Sequence, residues 1–327
     1  MSLDLALSTI LSPIVLFFVL GLFAALLRSQ MTVPEAFAKG LAIYLMMAIG
    51  LKGGVEMSKA TLGPDILILA AVAILLSFLI PFLAYNALRI TSKMDPINAA
   101  ATAGHYGSIS IVTFVAATQA LQYAGIVTSG YMVAIAALME VPAIISALLL
   151  ARRGLSKGGE VAGSEKGELF REVMLNASVV VLVGSLIIGW VTGEQGMEKI
   201  SPFFVTPFQG VLCLFLLDMG LSAGRGLRQG WRDLNVGALS FGIYMPLISA
   251  AITAGICKAM SMTLGDTALL ITLAASASYI AVPAAMRLAL PKAKPSIYLT
   301  LSLGVTFPFN LTLGIPLYIL LAQWVVS

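Results

Sequence analysis

An apolar run long enough to cross a bilayer contains the segment Thr102-Ala-Gly-His-Tyr-Gly-Ser-Ile-Ser-Ile-Val-Thr-Phe114. The centre of this segment is poor helix material. Glycine costs about 1 kcal/mol relative to alanine in a helix interior, and serine competes with the backbone for hydrogen bonds. The sequence therefore predicts a membrane helix that is interrupted near Ser108.

A second segment of this kind lies 170 residues later, in Ala274-Ala-Ser-Ala-Ser-Tyr-Ile-Ala-Val-Pro283. At this offset Ser108 aligns with Ser278, and Val112 aligns with Val282. Two interrupted membrane segments at matching positions in the two halves of a chain are a strong sequence indication of a transporter's binding site. The alternative is that small residues simply allow membrane helices to pack closely.

The composition identifies an integral membrane protein. Of the 327 residues, 59% are hydrophobic and only 10% are charged, whereas soluble domains carry about 25% charged residues. Helices are the expected element, because backbone groups inside a bilayer must be satisfied within the chain. One histidine and two separated cysteines argue against a clustered metal site.

Ten membrane spans are predicted, since one span needs about 20 apolar residues. They cover residues 9–28, 34–52, 65–89, 96–120, 130–151, 172–192, 202–223, 234–258, 266–290 and 297–326. Arg28 follows the first apolar run instead of preceding it, which predicts a retained helix and not a cleaved signal peptide. The last span contains Pro308 and Pro316, so a kink or break is expected there.

The basic residues predict the orientation, with the N- and C-termini outside and the central loop in the cytoplasm. Fifteen of the 19 Lys and Arg residues then lie in cytoplasmic connections. The outer face keeps Lys52, Lys59, Lys199 and Lys258. The net charge of +4 therefore marks one membrane face and does not indicate nucleic-acid binding.

The two halves of the chain resemble each other. A linker at 152–171, rich in glycine and charge and therefore predicted to be flexible, separates five spans from five. Gly50-Leu-Lys-Gly-Gly54 aligns with Gly220-Leu-Ser-Ala-Gly224, again at an offset of 170. Because five is odd, the second half enters the membrane in the opposite direction. The predicted fold is thus an all-α 5+5 inverted-topology repeat with two broken, crossing helices.

Two such helices would direct their half-helix N-termini at a common point. Each N-terminus has unpaired N–H groups and about half a positive charge, which suits a small, oxygen-rich anion without any cationic side chain. The residues that allow close approach or supply hydroxyl groups there are Gly104, Gly107, Ser108, Ser110, Ser276 and Ser278.

The same interruptions free carbonyl groups, which together with hydroxyl groups suit a hard cation such as sodium. Glu140 lies within a predicted span, and Asn310 is its counterpart at an offset of 170. An intramembrane carboxylate is a functional hypothesis by default, and the alternative is a structural hydrogen-bonded pair. Asn98 and Thr102 either line the approach to the interruption or cap the helix. The cation candidates are Asn98, Thr102, Ser108, Ser276, Glu140 and Asn310.

His105 has two interpretations, a proton relay or a neutral hydrogen-bonding residue within the interruption, and we favour the second.

The segments Gly104-His-Tyr-Gly-Ser-Ile-Ser-Ile-Val-Thr-Phe114 and Ala275-Ser-Ala-Ser-Tyr-Ile-Ala-Val-Pro-Ala-Ala-Met286 resemble the two signature segments of the SbtA-type sodium-dependent bicarbonate transporters of cyanobacteria and other bacteria. The resemblance covers essentially the whole chain. It implies a carrier and not an enzyme, with sodium as the coupling ion, no other cofactor, and a bacterial inner membrane location that serves carbon concentration. The implied bicarbonate site comprises Gly107, Ser108, Ile109, Ser110, Ser278 and Tyr279.

The resemblance also implies a homotrimer that works by an elevator-type movement. The gate and trimer scaffold would comprise 1–59 and 172–232, and the moving core 60–153 and 233–327. Family members can carry a long central loop and bind a small PII-like regulatory protein at the cytoplasmic face. The loop in this chain has only about 20 residues, a departure that puts the loop-dependent part of such binding in doubt.

Three other functions remain open at this point. A sodium-coupled carrier of another small anion, such as a short carboxylate, would keep the fold. A cation/proton antiporter would use His105 and Glu140, but no carboxylate pair accompanies the interruptions. A membrane scaffold or sensor that does not transport would have no need for two matched interruptions.

Overall fold

A computed structural model describes residues 11–59, 63–155, 177–230, 234–279, 282–283, 286, 290 and 292–327. Every regular element in these ranges is a helix. The main helices are α1 Pro13–Leu26, α2 Glu35–Lys59, α3 Pro64–Thr91, α4 Pro96–Gly107, α5 Ile111–Tyr123, α6 Met132–Leu138, α7 Glu140–Leu155, α8 Ala177–Phe204, α9 Phe208–Gly230, α10 Val236–Met260, α11 Leu264–Ala274 and α12 Pro295–Val326.

Seven helical segments in the described part of the chain are long and apolar enough to cross a membrane. They are Glu35–Lys59, Pro64–Thr91, Met132–Ala151, Val180–Phe204, Phe208–Arg228, Val236–Met260 and Pro295–Val326. Each corresponds to one of the ten predicted spans, so the prediction of an all-helical membrane protein is confirmed. The other three predicted spans coincide with α1, with α4 and α5, and with α11, which are shorter.

Parts of the predicted organisation lie outside the described residues. These parts are the start of the first span with the residues before it (1–10), the linker from residue 156 onward, and most of 280–291 at the end of the ninth span. The count of ten spans therefore stays a prediction.

Two helix pairs connect the halves of the sequence, since α1 packs on α9 and α2 packs on α8. Glycine makes both approaches possible. A Cβ on Gly220 would lie 2.1 Å from the carbonyl oxygen of Phe18, and one on Gly50 would lie 2.7 Å from that of Leu182. Gly50 and Gly220 are the residues that align at the offset of 170, and each contacts the first helix of the opposite half.

The remaining helices surround the interruptions. Helices α3, α4 and α7 pack on one another, while α11 packs on α10, on α5 and on the C-terminal part of α12. The inner half-helices are short: α4 has 12 residues and α5 has 13, so each is about 18–20 Å long. All described side chains of α4 from Asn98 to Gly107 are buried, which places the first interruption in the interior.

Pro308 and Pro316 do not break α12. It contains π-helical turns at Thr300–Thr306 and Asn310–Gly314, which flank Pro308 and precede Pro316. Proline lacks an N–H and its ring crowds the preceding turn, and a wider π-helical turn accommodates both effects. The break considered at these prolines does not occur within the described helix, and wide turns take its place. Asn310 lies within one of them.

Helix α8 has its own discontinuity at Gly193, where φ is 57° and ψ is −154°. A positive φ favours glycine because it has no Cβ to clash with the backbone. The predicted sixth span ends at residue 192, immediately before this kink. The helix then resumes and reaches Phe204, an extension that the polar sequence after Gly193 did not predict.

Candidate functional site

The first interruption separates α4 from α5 by three residues. Ser108 and Ser110 have extended backbone conformations, with φ/ψ of −86°/156° and −103°/108°. Ser110 is the N-cap of α5, and its hydroxyl oxygen accepts a hydrogen bond from the Thr113 N–H at 3.2 Å. The predicted interruption near Ser108 is therefore confirmed. The first N–H groups of α5 have no partner within their own helix and face the interruption.

Gly107 sets the distance between α4 and α3. A Cβ at this position would lie 2.3 Å from Cγ of Pro81 and 2.7 Å from the carbonyl oxygen of Ser77. Neither a proline ring inside a helix nor a backbone carbonyl can move aside easily. A residue without a side chain is thus required for the end of α4 to lie against α3.

The second interruption follows α11, where Ser276, Ala277 and Ser278 are not helical. It contacts the first one directly. The Ser278 N–H donates to the His105 carbonyl oxygen at 2.7 Å, and Nδ1 of His105 lies 2.5 Å from the Ser278 carbonyl oxygen. The Ser110 N–H donates to Oγ of Ser276 at 2.8 Å. The structure therefore brings together the two segments that the sequence aligned, and we call this region the crossover (residues 104–110 and 275–279).

The predicted anion residues all lie in the crossover and are buried. Exposure is 1% for Ser108, 1% for Ile109 and 2% for Ser278, and Tyr279 packs edge-on against Phe307. Oγ of Ser108 has no hydrogen-bond partner among the described residues. An unpaired hydroxyl group in a dry interior costs free energy, so a polar ligand or water is expected beside it. Together with the N-terminus of α5, this hydroxyl can contact an anion without any cationic side chain.

Two predicted cation residues, Ser276 and Asn310, lie at the second interruption. The Asn310 side-chain amide donates to the Ala275 carbonyl oxygen at 2.9 Å, and its Oδ1 accepts from the Tyr318 hydroxyl at 2.7 Å. Ser276 accepts from Ser110 and donates to the Leu273 carbonyl oxygen. These side chains hold the end of α11 in place, and their oxygens are the atom type that sodium prefers.

Glu140 begins α7, and its side chain is 5% exposed. Within the described part of the chain, its Oε2 has no hydrogen-bond partner. The preceding carbonyl, that of Met139, accepts from the Ser77 hydroxyl at 2.6 Å, and Ser77 is also a neighbour of Gly107. Glu140 is therefore connected to the first interruption through α3. A buried carboxylate oxygen without a partner suits a cation. The alternative is a structural pair of Glu140 with Asn310, but the described residues show no hydrogen bond between these two side chains.

Asn98 lies away from the crossover, and Thr102 lies two residues before its first residue, Gly104. Asn98 precedes Ser108 by ten residues, which is about 15 Å along a helix. Its Oδ1 accepts from the Lys294 N–H at 2.7 Å, and its Nδ2 donates to Asp95 at 2.6 Å. Thr102 donates to the sulfur of Met94. These bonds agree with the alternative that the two residues stabilise the start of α4, while their cation role stays a prediction.

Several residues that fix the crossover or the helices leading to it were not predicted from the sequence. Tyr106 and Thr306 share a hydrogen bond of 2.6 Å between their hydroxyl groups. Asp266, in the first turn of α11, accepts from the Ser129 N–H, the Ser129 hydroxyl and the Tyr131 hydroxyl at 2.7–2.8 Å. The pattern Thr263-x-x-Asp266 at a helix start could have signalled Asp266, but no local pattern signals the partners of Tyr106.

Replacing Ser276 with alanine is expected to lower the melting temperature by a few degrees and to reduce transport. The Ser110 N–H would lose its acceptor inside the crossover, and a buried unpaired donor costs about 1–3 kcal/mol. Ser302→Ala is the matched control, because Ser302 is equally buried and donates only within α12, to the Tyr298 carbonyl oxygen. Thermal unfolding of both variants checks the difference, and equal effects would contradict a bridging role for Ser276.

The whole chain matches one known family. The model of the Na+-dependent bicarbonate transporter superfamily matches residues 13–323 of 327, which confirms the resemblance inferred from the two signature segments. No curated protein matches the chain. The family is a transporter superfamily and not an enzyme class, and it implies Na+-dependent transport of bicarbonate, with sodium as the coupling ion. The crossover, the buried helix ends and the full-length match together identify this chain as a member of the Na+-dependent bicarbonate transporter superfamily.

Proposed function

We propose that this protein is a symporter that moves bicarbonate into the cell together with sodium by alternating access. The observation that supports this most is the crossover itself. Two helix interruptions are hydrogen-bonded to each other at residues His105, Ser110, Ser276 and Ser278. A buried Ser108 hydroxyl, which has no partner among the described residues, lies beside a helix N-terminus. Such a place suits a small anion, and the carbonyl and hydroxyl oxygens next to it suit sodium.

Many transporters that work by alternating access are built from two related halves, and we propose the 5+5 inverted-topology repeat with ten spans. Helix positions support it, since α3 and α10, and likewise α4 and α11, correspond at an offset of about 170 residues. The equivalent glycines Gly50 and Gly220 support it further, because each packs against the first helix of the opposite half. In an inverted repeat, contacts between halves occur in such reciprocal pairs.

The proposed movement is of the elevator type, in a homotrimer. The scaffold would comprise 1–59 and 172–232, the moving core 60–153 and 233–327, and the linker 152–171 would connect the halves. The contacts of α1 with α9 and of α2 with α8 support this division, because all four helices fall in the scaffold. The crossover falls entirely in the core.

Bicarbonate would bind at Gly107, Ser108, Ile109, Ser110, Ser278 and Tyr279. Sodium would bind close by, with Glu140, Asn310, Ser276 and Ser108 as the candidates at or near the crossover and with Asn98 and Thr102 nearer the start of α4. A sodium ion beside the anion would offset its charge where the dielectric constant is low.

We place the protein in a bacterial inner membrane with both termini outside and the central loop in the cytoplasm. The excess of Lys and Arg in the predicted cytoplasmic connections supports this orientation. We also propose a PII-like regulatory protein as a partner at that face. It would bind to surfaces other than the short loop.

Uptake of labelled bicarbonate into proteoliposomes tests the proposed function. With an inward sodium gradient, uptake is expected to exceed by at least about tenfold the uptake measured when potassium replaces sodium, because the coupling ion supplies the driving force. Ser108→Ala together with Ser278→Ala is expected to remove most of it. The absence of uptake by folded, reconstituted protein would overturn bicarbonate as the substrate, and short carboxylates would be measured next.

A further inference from the structure

His105 and Tyr106 are the two described polar side chains of the crossover that the proposed site does not use, and the Tyr106 hydroxyl already shares a hydrogen bond with Thr306. The His105 side chain is fully buried, and its ring stacks on Tyr298 with ring centroids 4.6 Å apart. It lies in the last turn of α4, three residues before Ser108. Its position is fixed by contact with the second interruption, since its backbone and its ring each bond to Ser278.

The hydrogen bonds of His105 determine where its ring proton lies. Nδ1 is 2.5 Å from the carbonyl oxygen of Ser278, and a carbonyl oxygen can only accept. Nδ1 must therefore carry the hydrogen and donate it. In a neutral imidazole the other nitrogen, Nε2, then has a lone pair and is an acceptor.

No donor meets this acceptor within the described part of the chain, since Nε2 of His105 is buried and has no hydrogen-bond partner. Leaving a buried acceptor unpaired costs free energy, so a group with an O–H or N–H is expected there when the site is filled. Ser108 supplies a second unpaired buried atom in the same interruption.

Bicarbonate differs from other small planar anions in one respect that matters here. It has three oxygens and one negative charge, as nitrate has, but one of its oxygens bears a hydrogen that can be donated. Helix N-termini and hydroxyl groups can bind the charged oxygens of either anion. A buried acceptor favours bicarbonate, because nitrate has no hydrogen to donate to it.

We propose that Nε2 of His105 accepts the hydrogen bond of the bicarbonate hydroxyl group and thereby selects bicarbonate over planar anions that lack a hydroxyl. This inference rests on the proposed function, because it assigns a role within the same site. It makes His105 a residue that determines specificity and not a proton relay, since no proton is transferred.

Two substitutions separate the two hydrogen-bonding edges of the ring. In His105→Asn, the side-chain N–H can replace Nδ1 and keep the bond to Ser278, while the acceptor at the Nε2 position is lost. In His105→Gln, the amide reaches the Nε2 position and its oxygen can accept, while the bond to Ser278 is lost. Tyr106→Phe is the matched control, because it removes a buried hydrogen bond from the next residue, on the side facing Thr306.

The measurement is sodium-dependent uptake of labelled bicarbonate in proteoliposomes, with unlabelled bicarbonate or nitrate as competitor. In the wild type, nitrate is expected to compete at least about tenfold more weakly than bicarbonate. In His105→Asn, the affinity for bicarbonate is expected to fall by about tenfold to a hundredfold, with that for nitrate unchanged, so the preference disappears. His105→Gln is expected to keep the preference and to unfold at a lower temperature, and Tyr106→Phe is expected to keep the preference.

Other results would overturn the inference. Equal competition by nitrate and bicarbonate in the wild type would overturn it. A preserved preference for bicarbonate in folded His105→Asn would also overturn it. Equal loss of preference in His105→Asn and His105→Gln would assign His105 a structural role. For a variant with too little uptake to measure, the rise in melting temperature caused by bicarbonate and by nitrate gives the ratio of the two affinities. If wild-type protein takes up no bicarbonate at all, the proposed function itself fails.

Discussion

Gly107→Ala is expected to abolish sodium-dependent bicarbonate uptake. The new methyl group would lie 2.3 Å and 2.5 Å from two carbons of the Pro81 ring and 2.7 Å from the Ser77 carbonyl oxygen. Real Cβ atoms do not approach other atoms so closely, and overpacking of this kind costs about 1–3 kcal/mol. Because neither neighbour is a flexible side chain, α4 itself must shift, and the hydrogen bonds between His105 and Ser278 would shift with it.

The same substitution at Gly40 is the control for this prediction. A Cβ on Gly40 meets no atom within 4 Å, and the residue lies on the exposed side of α2. Gly40→Ala should therefore transport as the wild type does, with equal amounts of folded protein confirmed by size-exclusion chromatography. Normal uptake by Gly107→Ala would mean that the approach of α4 to α3 does not matter for the site.

Glu140→Gln is expected to raise the sodium concentration for half-maximal uptake by at least about tenfold. The substitution keeps the size of the side chain and removes a buried carboxyl group whose Oε2 has no hydrogen-bond partner among the described residues. Two opposite charges 4 Å apart attract by about 4 kcal/mol at an effective dielectric constant of about 20. The loss of such an attraction at a cation site exceeds the 1.4 kcal/mol that corresponds to tenfold in affinity. Uptake as a function of sodium concentration at saturating bicarbonate measures the change.

Glu56→Gln is the matched substitution for Glu140. Glu56 lies on α2, is half exposed and bonds to Lys59, which also bonds to Glu194. Its charge is solvated, so its removal should leave the sodium concentration for half-maximal uptake unchanged. An unchanged sodium curve in Glu140→Gln would remove Glu140 from the coupling mechanism and leave it a structural residue of α7.

Local sequence was sufficient to predict the main elements of the fold. Apolar runs of about 20 residues correspond to the seven long helical segments, and the cluster of Gly and Ser around Ser108 corresponds to a real interruption. Both signals are local, because hydrophobicity and helix propensity act over one span. The alignment of Ser108 with Ser278 went further and correctly brought two distant segments together.

The detailed contacts could not be predicted in the same way. Whether Asn98 faces the crossover or bonds to the Lys294 N–H depends on how a loop almost 200 residues away packs on α4. The direction of the His105 ring depends on a carbonyl group of the other half. The π-helical turns of α12 likewise depend on packing, because proline alone does not specify whether a helix kinks, breaks or widens.

The hydrogen bonds between the two interruptions limit how the substrate can be exposed to either side. The bonds are those from Ser278 to His105, from His105 to Ser278, and from Ser110 to Ser276. Each would be worth about 4–6 kcal/mol in a dry interior if nothing replaced it. A passage that opened between the interruptions would have to lose all three in every cycle. Under the proposed elevator-type movement, we therefore expect the two interruptions to move as one rigid unit together with the bound ion and anion. The surrounding helices would then form the seal past which that unit slides.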